Sequence, residues 1–340
     1  MARVFAREER RDLTRRGMRR NLGRLACGVI LLAAVLWFPM RWFERETQTT
    51  LGVTFSHMYA RSLGLDWREA FLAIVDDLGV RALRIPVYWS EVEWAHDQYY
   101  WGEVDWMVAE AERVGAQVTL VVGAKVPRWP ECYIPTWTQR GTEADRRAEQ
   151  VQFVQETVRR YRHSPAVVRW QVENEPTFPF GECPMPDIGL LQDELNAVTW
   201  LDDRPIMLTV SGEWDVWWPS AGTADVLGFS VYRAVWNDGL FSIRYPLPPL
   251  YYRLRSWVVR PFVDEVIVSE MQAEPWFPEP AKSAEFVKWY EVFNADDLAE
   301  AVSFAQDTGA PEAYLWGAEW WYVLLKHGEP RLWEAAREVF

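Results

Sequence analysis

The chain has 340 residues, 49% of them apolar, which is enough for one large domain or two small ones with a sizeable core. Its net charge of −13 is uneven: residues 1–45 hold eleven of the 36 Lys+Arg and four of the 49 Asp+Glu, leaving 25 basic against 45 acidic residues in the remainder. So acidic a body repels phosphates, which argues against nucleic-acid binding and admits a neutral or cationic partner such as a sugar.

Residues 1–24 are rich in arginine and are followed by LACGVILLAAVLWFPM, residues 25–40, which carry no charge. Sixteen apolar residues fall slightly short of the roughly 20 that a bilayer span needs, and flanking aromatics with snorkelling arginines can cover the difference. The run ends in bulky Trp37-Phe38-Pro39-Met40 rather than the small residues of a cleavage site. The reading is therefore a basic cytoplasmic tail (1–24), a single-pass signal anchor (25–43) and a short tether (44–49). The positive-inside rule then puts the N-terminus in the cytoplasm and the large domain outside the cell membrane.

From residue 50 onward, β-rich runs alternate with amphipathic stretches. TLGVTFS (50–56) reads as a strand and WREAFLAIVDDLG (67–79) as a helix with a glycine stop. VRALRIPVYW (80–89) is the second strand, residues 103–115 a helix, AQVTLVVG (116–123) the third strand and residues 144–161 a long helix. AVVRWQVEN (166–174) is the fourth strand, followed by a helix over 188–203. PIMLTVSG (205–212) and ADVLGFSVY (224–232) are the fifth and sixth strands. A helix over 247–259 precedes DEVIVSEMQ (264–272), the seventh strand. A helix over 295–309, EAYLWGA (312–318) as the eighth strand, and a helix over 330–340 complete the chain.

Eight strands alternating with helices over residues 50–340 predict an α/β fold of the (β/α)8 type, a TIM barrel. A doubly wound open sheet would place a Gly-rich phosphate loop after the first strand, and SHMYARSLG is not one. In such a barrel, reactive side chains gather just beyond the C-terminal ends of the strands. Those ends carry Glu173-Asn174-Glu175, Tyr232, Glu270 with Glu274, and Trp316, and the second strand carries Arg84. The fourth and seventh strands lie roughly opposite one another, so two carboxyls placed on them can flank one bond.

WQVENEP resembles the acid/base motif of glycoside hydrolase clan A, in which an Asn-Glu pair ends the fourth strand, and VIVSEMQ resembles the clan's nucleophile motif on the seventh. Families 5 and 39 are of this kind. The resemblance implies a glycosidase that retains anomeric configuration by double displacement, without a cofactor. It implies Glu175 as acid/base, Glu270 as nucleophile, Asn174 as a ligand of the sugar 2-hydroxyl and Tyr232 as the aromatic that positions the nucleophile. It further implies Trp316 as the floor of the attacked sugar's subsite and Arg84 as the cation that keeps Glu270 ionised. Where family 5 shows a histidine after the third strand, this sequence reads VVGAKVPRW, with Lys125.

Other side chains belong to the same rim. His57 is at the correct end to touch substrate or to serve as a structural histidine. Glu274 is a candidate sugar ligand and a lesser candidate nucleophile. Glu173 is expected to be a core charge paired with an arginine, and Glu213 a subsite residue or, the preferred reading, a solvated loop charge. Trp129, Trp276 and Trp320 are the tryptophans expected to line sugar subsites. Cys132 and Cys183 lie in two strand-end loops, and outside the cytosol they are either a disulfide or two free thiols. The four scattered histidines have no metal-ligand spacing, so a metal-dependent hydrolase is not expected. The substrate expected is an extracellular or cell-envelope oligo- or polysaccharide, handled by a monomer. A transglycosylase using the same residues, or a non-catalytic sugar-binding barrel, are the alternatives.

Overall fold

The computed structural model describes residues 48–237, 241–276 and 286–340. The expected tail, anchor and most of the tether lie outside them; among the described residues, no helix is long and apolar enough to cross a membrane. Residues 48–340 form one unit, beginning two residues before the predicted start of the barrel.

In chain order the first six strands are β1 (Thr50–Thr54), β2 (Ala82–Pro86), β3 (Gln117–Val122), β4 (Val167–Val172), β5 (Ile206–Val210) and β6 (Val226–Val231). Next come two short strands, β7 (Ala234–Asn237) and β8 (Phe241–Arg244), then β9 (Glu265–Gln272) and β10 (Glu312–Trp316). All but the short pair build the barrel. They pair in parallel in the order β1-β2-β3-β4-β5-β6-β9-β10, and β10 pairs with β1 to close the ring. The eight predicted strands are these eight, each trimmed at one or both ends. Parallel strands covered on both faces read as unbroken apolar runs, which makes them visible in the sequence.

Helices cover the outside. The helix Gly102–Val114 ends at Gly115, whose φ of 68° is a left-handed cap that costs glycine little. The helix Glu143–Tyr161 starts with a capping box in which Thr142 and Asp145 satisfy each other's backbone N–H groups. The helix Trp67–Leu72 passes into a π-helical turn, Ala73–Asp77.

Two features are additions to the expected plan. β7 and β8 form an antiparallel hairpin beyond the sixth barrel strand. A helix, Ala318–Lys326, follows β10. Its first turns carry Trp320 and Trp321, so these tryptophans sit in packed helix rather than in a rim loop.

The barrel interior is layered, as alternation along each strand dictates. Near the strand starts, Arg169 pairs with Glu312 at 2.9 Å. Above it lie Ala82, Met207, Val226, Ile267 and Tyr314, an inner apolar cluster separate from the large one between strands and helices. Higher still the layer turns polar, with Thr54, Arg84, Gln171, Thr209 and Ser269 all buried. The polar layer carries the strand-end carboxyls.

Candidate active site

Arg84 organises the centre. It is on β2, fully buried, and its guanidinium bonds both within its own layer and to the side chains above it. Nη1 donates to Glu270 Oε1 at 2.8 Å, Nε to Gln171 Oε1 at 2.7 Å and Nη2 to Asn174 Oδ1 at 2.7 Å. A charge buried this deeply is tolerated because it is paired and fully hydrogen-bonded. Glu270, on β9, receives a second donor from the other side: Tyr232 Oη donates to its Oε2 at 2.8 Å. Burial, and after it the charge of Glu270, raises the tyrosine pKa well above its ordinary value, so Tyr232 stays a donor.

Glu175 stands in a different environment. The end of β4 turns sharply, with φ of 56° at Glu173 and 45° at Glu175. Non-glycine residues in this region cost on the order of 1 kcal/mol each and persist where the surroundings hold them. Here the Glu175 N–H donates to Thr209 Oγ1 at 2.8 Å, and Lys125 Nζ donates to the carbonyls of Glu175 (3.0 Å) and Phe178 (2.7 Å). The carboxyl itself has one hydrogen-bonding neighbour among the described residues, Ser230 Oγ, at 2.7 Å from Oε1. Burial first, and then the charge of Glu270, push its pKa up to about 8. Two carboxyls thus share one site in unlike surroundings: Glu270 has a guanidinium and a phenol, and Glu175 keeps its proton near neutral pH.

A third carboxyl joins them. Glu131, in the loop after β3, is buried and lies within reach of Asn174, whose Nδ2 donates to its Oε2 at 3.2 Å. Burial, then the charge of Glu270, raise its pKa well above the ordinary range. The loop is closed by a disulfide between Cys132 and Cys183, with Cα atoms 5.2 Å apart. It ties the loop after β3 to the loop after β4, so the pairing permitted by the sequence is formed.

An aromatic arc runs round the rim. Trp129, 63% exposed, meets Phe180 edge-on at 6.1 Å between ring centroids. Phe180 lies 6.3 Å from Trp276, Trp276 lies 5.4 Å from Tyr232, and Tyr232 lies 6.3 Å from Trp316. One face of Trp316 is occupied by the guanidinium of Arg128, 4.2 Å from the ring centre, and the same cation lies 3.8 Å from the ring centre of Tyr59.

Glu175, Glu270, Asn174, Arg84, Tyr232, Trp316, Trp129 and Trp276 are therefore assembled at one mouth. Other expectations need correction. Trp320 is completely buried, packed edge-on against Phe286 at 5.5 Å, and lines no open subsite. Glu274 is buried in an ion pair with Arg128, which also holds Glu319 at 2.9 Å, so one side of its carboxyl is already engaged. His57 is buried between Trp67 and Tyr88, and burial lowers its pKa to about 3. It is a neutral packing residue with no approach to substrate. Glu173 has no arginine partner among the described residues. Its left-handed backbone turns the side chain out of the barrel, where it accepts from the N–H groups of Ala124 and Lys125, both at 2.7 Å, and from Gln150 at 3.0 Å. Gly123, at φ 117°, leaves room for it; a Cβ there would collide with the carboxyl. Glu213 is no solvated charge: Tyr252 Oη donates to it at 2.6 Å, and burial pushes its pKa to about 7.

Ser230 and Glu131 are members of the site that the sequence pattern does not announce. Ser230 is within reach of the pattern, since it precedes Tyr232 by two positions and so shares its face. Glu131 sits in an irregular loop without periodicity, which offers no signal. A cavity of about 290 Å³ lies behind the loop after β4, lined by Lys125, Gln150, Glu173 and Glu194. It contains neither Glu175 nor Glu270 and is distinct from the mouth where those two carboxyls meet.

No family model matches the sequence, and no curated protein matches it. Solved structures do. A β-galactosidase from Bacillus circulans sp. alkalophilus superposes with a TM-score of 0.59 at 11% identity, over 87% of this chain and 56% of that one. GH5_18 from Bifidobacterium longum subsp. longum gives 0.57 at 16% identity, over 79% of this chain and 69% of that one. A GH5_18 variant from Streptomyces cattleya, in complex with Manβ1-4GlcNAc, gives 0.56 at 15% identity, over 79% of this chain and 70% of that one. The fold is the barrel that solved glycosidases share. The chain spans about half the length of the β-galactosidase chains it matches.

Proposed function

We propose that this protein is a retaining glycoside hydrolase acting by double displacement, with Glu270 as nucleophile and Glu175 as acid/base. The observation that carries the reading is the divided treatment of the two carboxyls. Arg84 and Tyr232 hold Glu270 ready to attack an anomeric carbon. Glu175 is kept protonated, ready to release its proton to a leaving oxygen and to recover one from water in the second step. A sugar-binding barrel has no use for a buried arginine aimed at one carboxyl and a proton stored on the other. Asn174 is assigned to a sugar hydroxyl and Trp316, Trp276 and Trp129 to sugar faces.

The neighbours' names make aryl β-galactosides and β-mannosides the first substrates to assay. Glu270→Gln should abolish turnover of an activated aryl glycoside, and surviving activity removes Glu270 from the role. Glu175→Gln should slow glycosides with poor leaving groups far more than activated ones, and equal losses contradict the acid/base assignment. The first-formed anomer, followed by NMR, reports retention or inversion. Trp129, well exposed, offers a face to an acceptor sugar, and product analysis with added acceptors separates hydrolysis from transglycosylation.

The apolar run at 25–40 and its arginine-rich flank support a single-pass anchor with the barrel outside, acting as a monomer on envelope or extracellular glycans. The Cys132–Cys183 disulfide fits an oxidising compartment. Full-length protein should remain in the membrane pellet after alkaline extraction; release into the supernatant contradicts the anchor.

A further inference from the structure

We propose that Glu131 is a substrate-binding carboxyl, which grips a sugar hydroxyl together with Asn174. This rests on the glycosidase reading and names a further contact at the same mouth.

Glu131 is costly where it stands. It is buried beside Glu175 and Glu270 on a backbone with φ of 73°, in a loop where Arg128 also has a positive φ of 88°. The nearby cations are engaged elsewhere: Arg84 on Glu270, Gln171 and Asn174, and Lys125 on two backbone carbonyls. Burial and the charge of Glu270 both oppose its ionisation. A carboxyl set among carboxyls, with the charge of Lys125 nearby but no cation hydrogen-bonded to it, is a liability to the empty fold.

Positioning of Asn174 does not account for it. The Asn174 Oδ1 already accepts from Arg84 Nη2 at 2.7 Å, Thr209 Oγ1 at 3.2 Å and Gln171 Nε2 at 3.3 Å, and its backbone N–H donates to the Lys125 carbonyl at 2.6 Å. The amide is oriented before Glu131 is considered. The Nδ2–Glu131 contact is long, at 3.2 Å, and uses one of two hydrogens. Among the described residues, no group donates to the second Glu131 oxygen.

A group placed at this pair meets a donor and an acceptor side by side. An ammonium would face the Asn174 N–H, which repels it. A hydroxyl suits both, accepting from Nδ2 and donating to the Glu131 carboxyl. The site therefore selects a neutral sugar with a free hydroxyl at one ring position, in an orientation that the opposite epimer does not match.

The test uses full-length protein and a series of activated aryl glycosides, each lacking one ring hydroxyl, compared with the complete sugar. Glu131→Ala should lower kcat/KM on the complete sugar by roughly 3- to 10-fold, the scale of a hydrogen bond between neutral groups. On one deoxy analogue the ratio of wild type to variant should collapse toward one, and the Asn174→Ala penalty should shrink on the same analogue. A merely structural role would give the same loss on every sugar, and that result overturns the proposal, as does no loss on any. The isosteric Glu131→Gln carries the same comparison should the alanine variant not fold. Wild-type protein inert on all glycosides overturns the glycosidase reading itself, whereas an active wild type with sugar-independent ratios overturns only the role of Glu131.

Discussion

At the scale of single residues, the site is a problem in holding protons. In the role proposed for it, Glu175 works as an acid only while protonated, so activity should fall on the alkaline side as pH rises through about 8. Ser230 donates to its Oε1 and so favours the charged form. Ser230→Ala removes that donor, which raises the Glu175 pKa and should carry the alkaline limb of kcat/KM to higher pH; an unmoved or lowered limb contradicts the assignment. Arg84 poses the opposite case. Arg84→Met leaves Glu270 buried beside hydrogen-bond acceptors with its guanidinium gone. Breaking one side of a buried pair costs about 3–5 kcal/mol, so this variant should lose activity and unfold at markedly lower denaturant. Retained stability would mean that Glu270 relaxes to solvent. Much of this centre is legible in the sequence, because Glu175, Tyr232 and Trp316 stand at or just past strand ends, where a barrel's chemistry collects, while Arg84 and Glu270 stand within β2 and β9. Trp320 is not, because nothing in Ala318-Glu319-Trp320-Trp321 separates a loop from the first turn of a buried helix. Nor is Glu173, because strand alternation fails once the backbone turns left-handed.

At the scale of elements, two loops make the site and each is pinned. The loop after β3 brings Arg128, Trp129 and Glu131; the loop after β4 brings Asn174, Glu175 and Phe180. Lys125 fixes the second loop through two carbonyls, and the Cys132–Cys183 bond joins the pair across 51 residues of chain. Such a cross-link stabilises chiefly by restricting the unfolded chain, typically by about 2–4 kcal/mol. Cys132→Ser with Cys183→Ser should therefore lower the melting temperature. It should also reduce kcat/KM, since Glu131 neighbours one end of the bond. Wild type treated with reductant should show the same two effects. Unchanged melting would mean that ion pairs and packing already fix the loops. These loops are the least legible part of the chain. The strands announce themselves by apolar runs, whereas a loop held by a disulfide, a buried lysine and left-handed residues has no period to read. The hairpin of β7 and β8 escapes for the same reason.

At the scale of the whole molecule, the eightfold alternation carries the fold, since the rhythm of buried strand and amphipathic helix admits few closed arrangements. What the rhythm conceals is how many carboxyls the barrel buries. Glu131, Glu173, Glu175, Glu194 and Glu319 all titrate above the ordinary carboxylate range, with burial the largest cause for each. Between that range and their raised values, the folded protein binds more protons than the unfolded chain. Linkage then requires stability to fall as pH rises through this interval. His57 acts the other way, since its pKa is lowered to about 3 and only the unfolded chain takes up its proton below about 6.5, but it is one group against several. Glu194 isolates the effect away from the mouth. It is buried against Glu173 and bonded by Gln150 at 2.8 Å, and burial followed by the charge of Glu173 raises its pKa well above 4.5. Glu194→Gln keeps the acceptor for Gln150, supplies a permanent donor toward Glu173 and has no proton to lose. Its melting temperature should match wild type near pH 4.5, where both forms are neutral in the folded protein, and exceed it by a growing margin as pH rises. A constant difference across that range would mean that Glu194 is ionised in the folded state and that another group supplies the proton shared with Glu173.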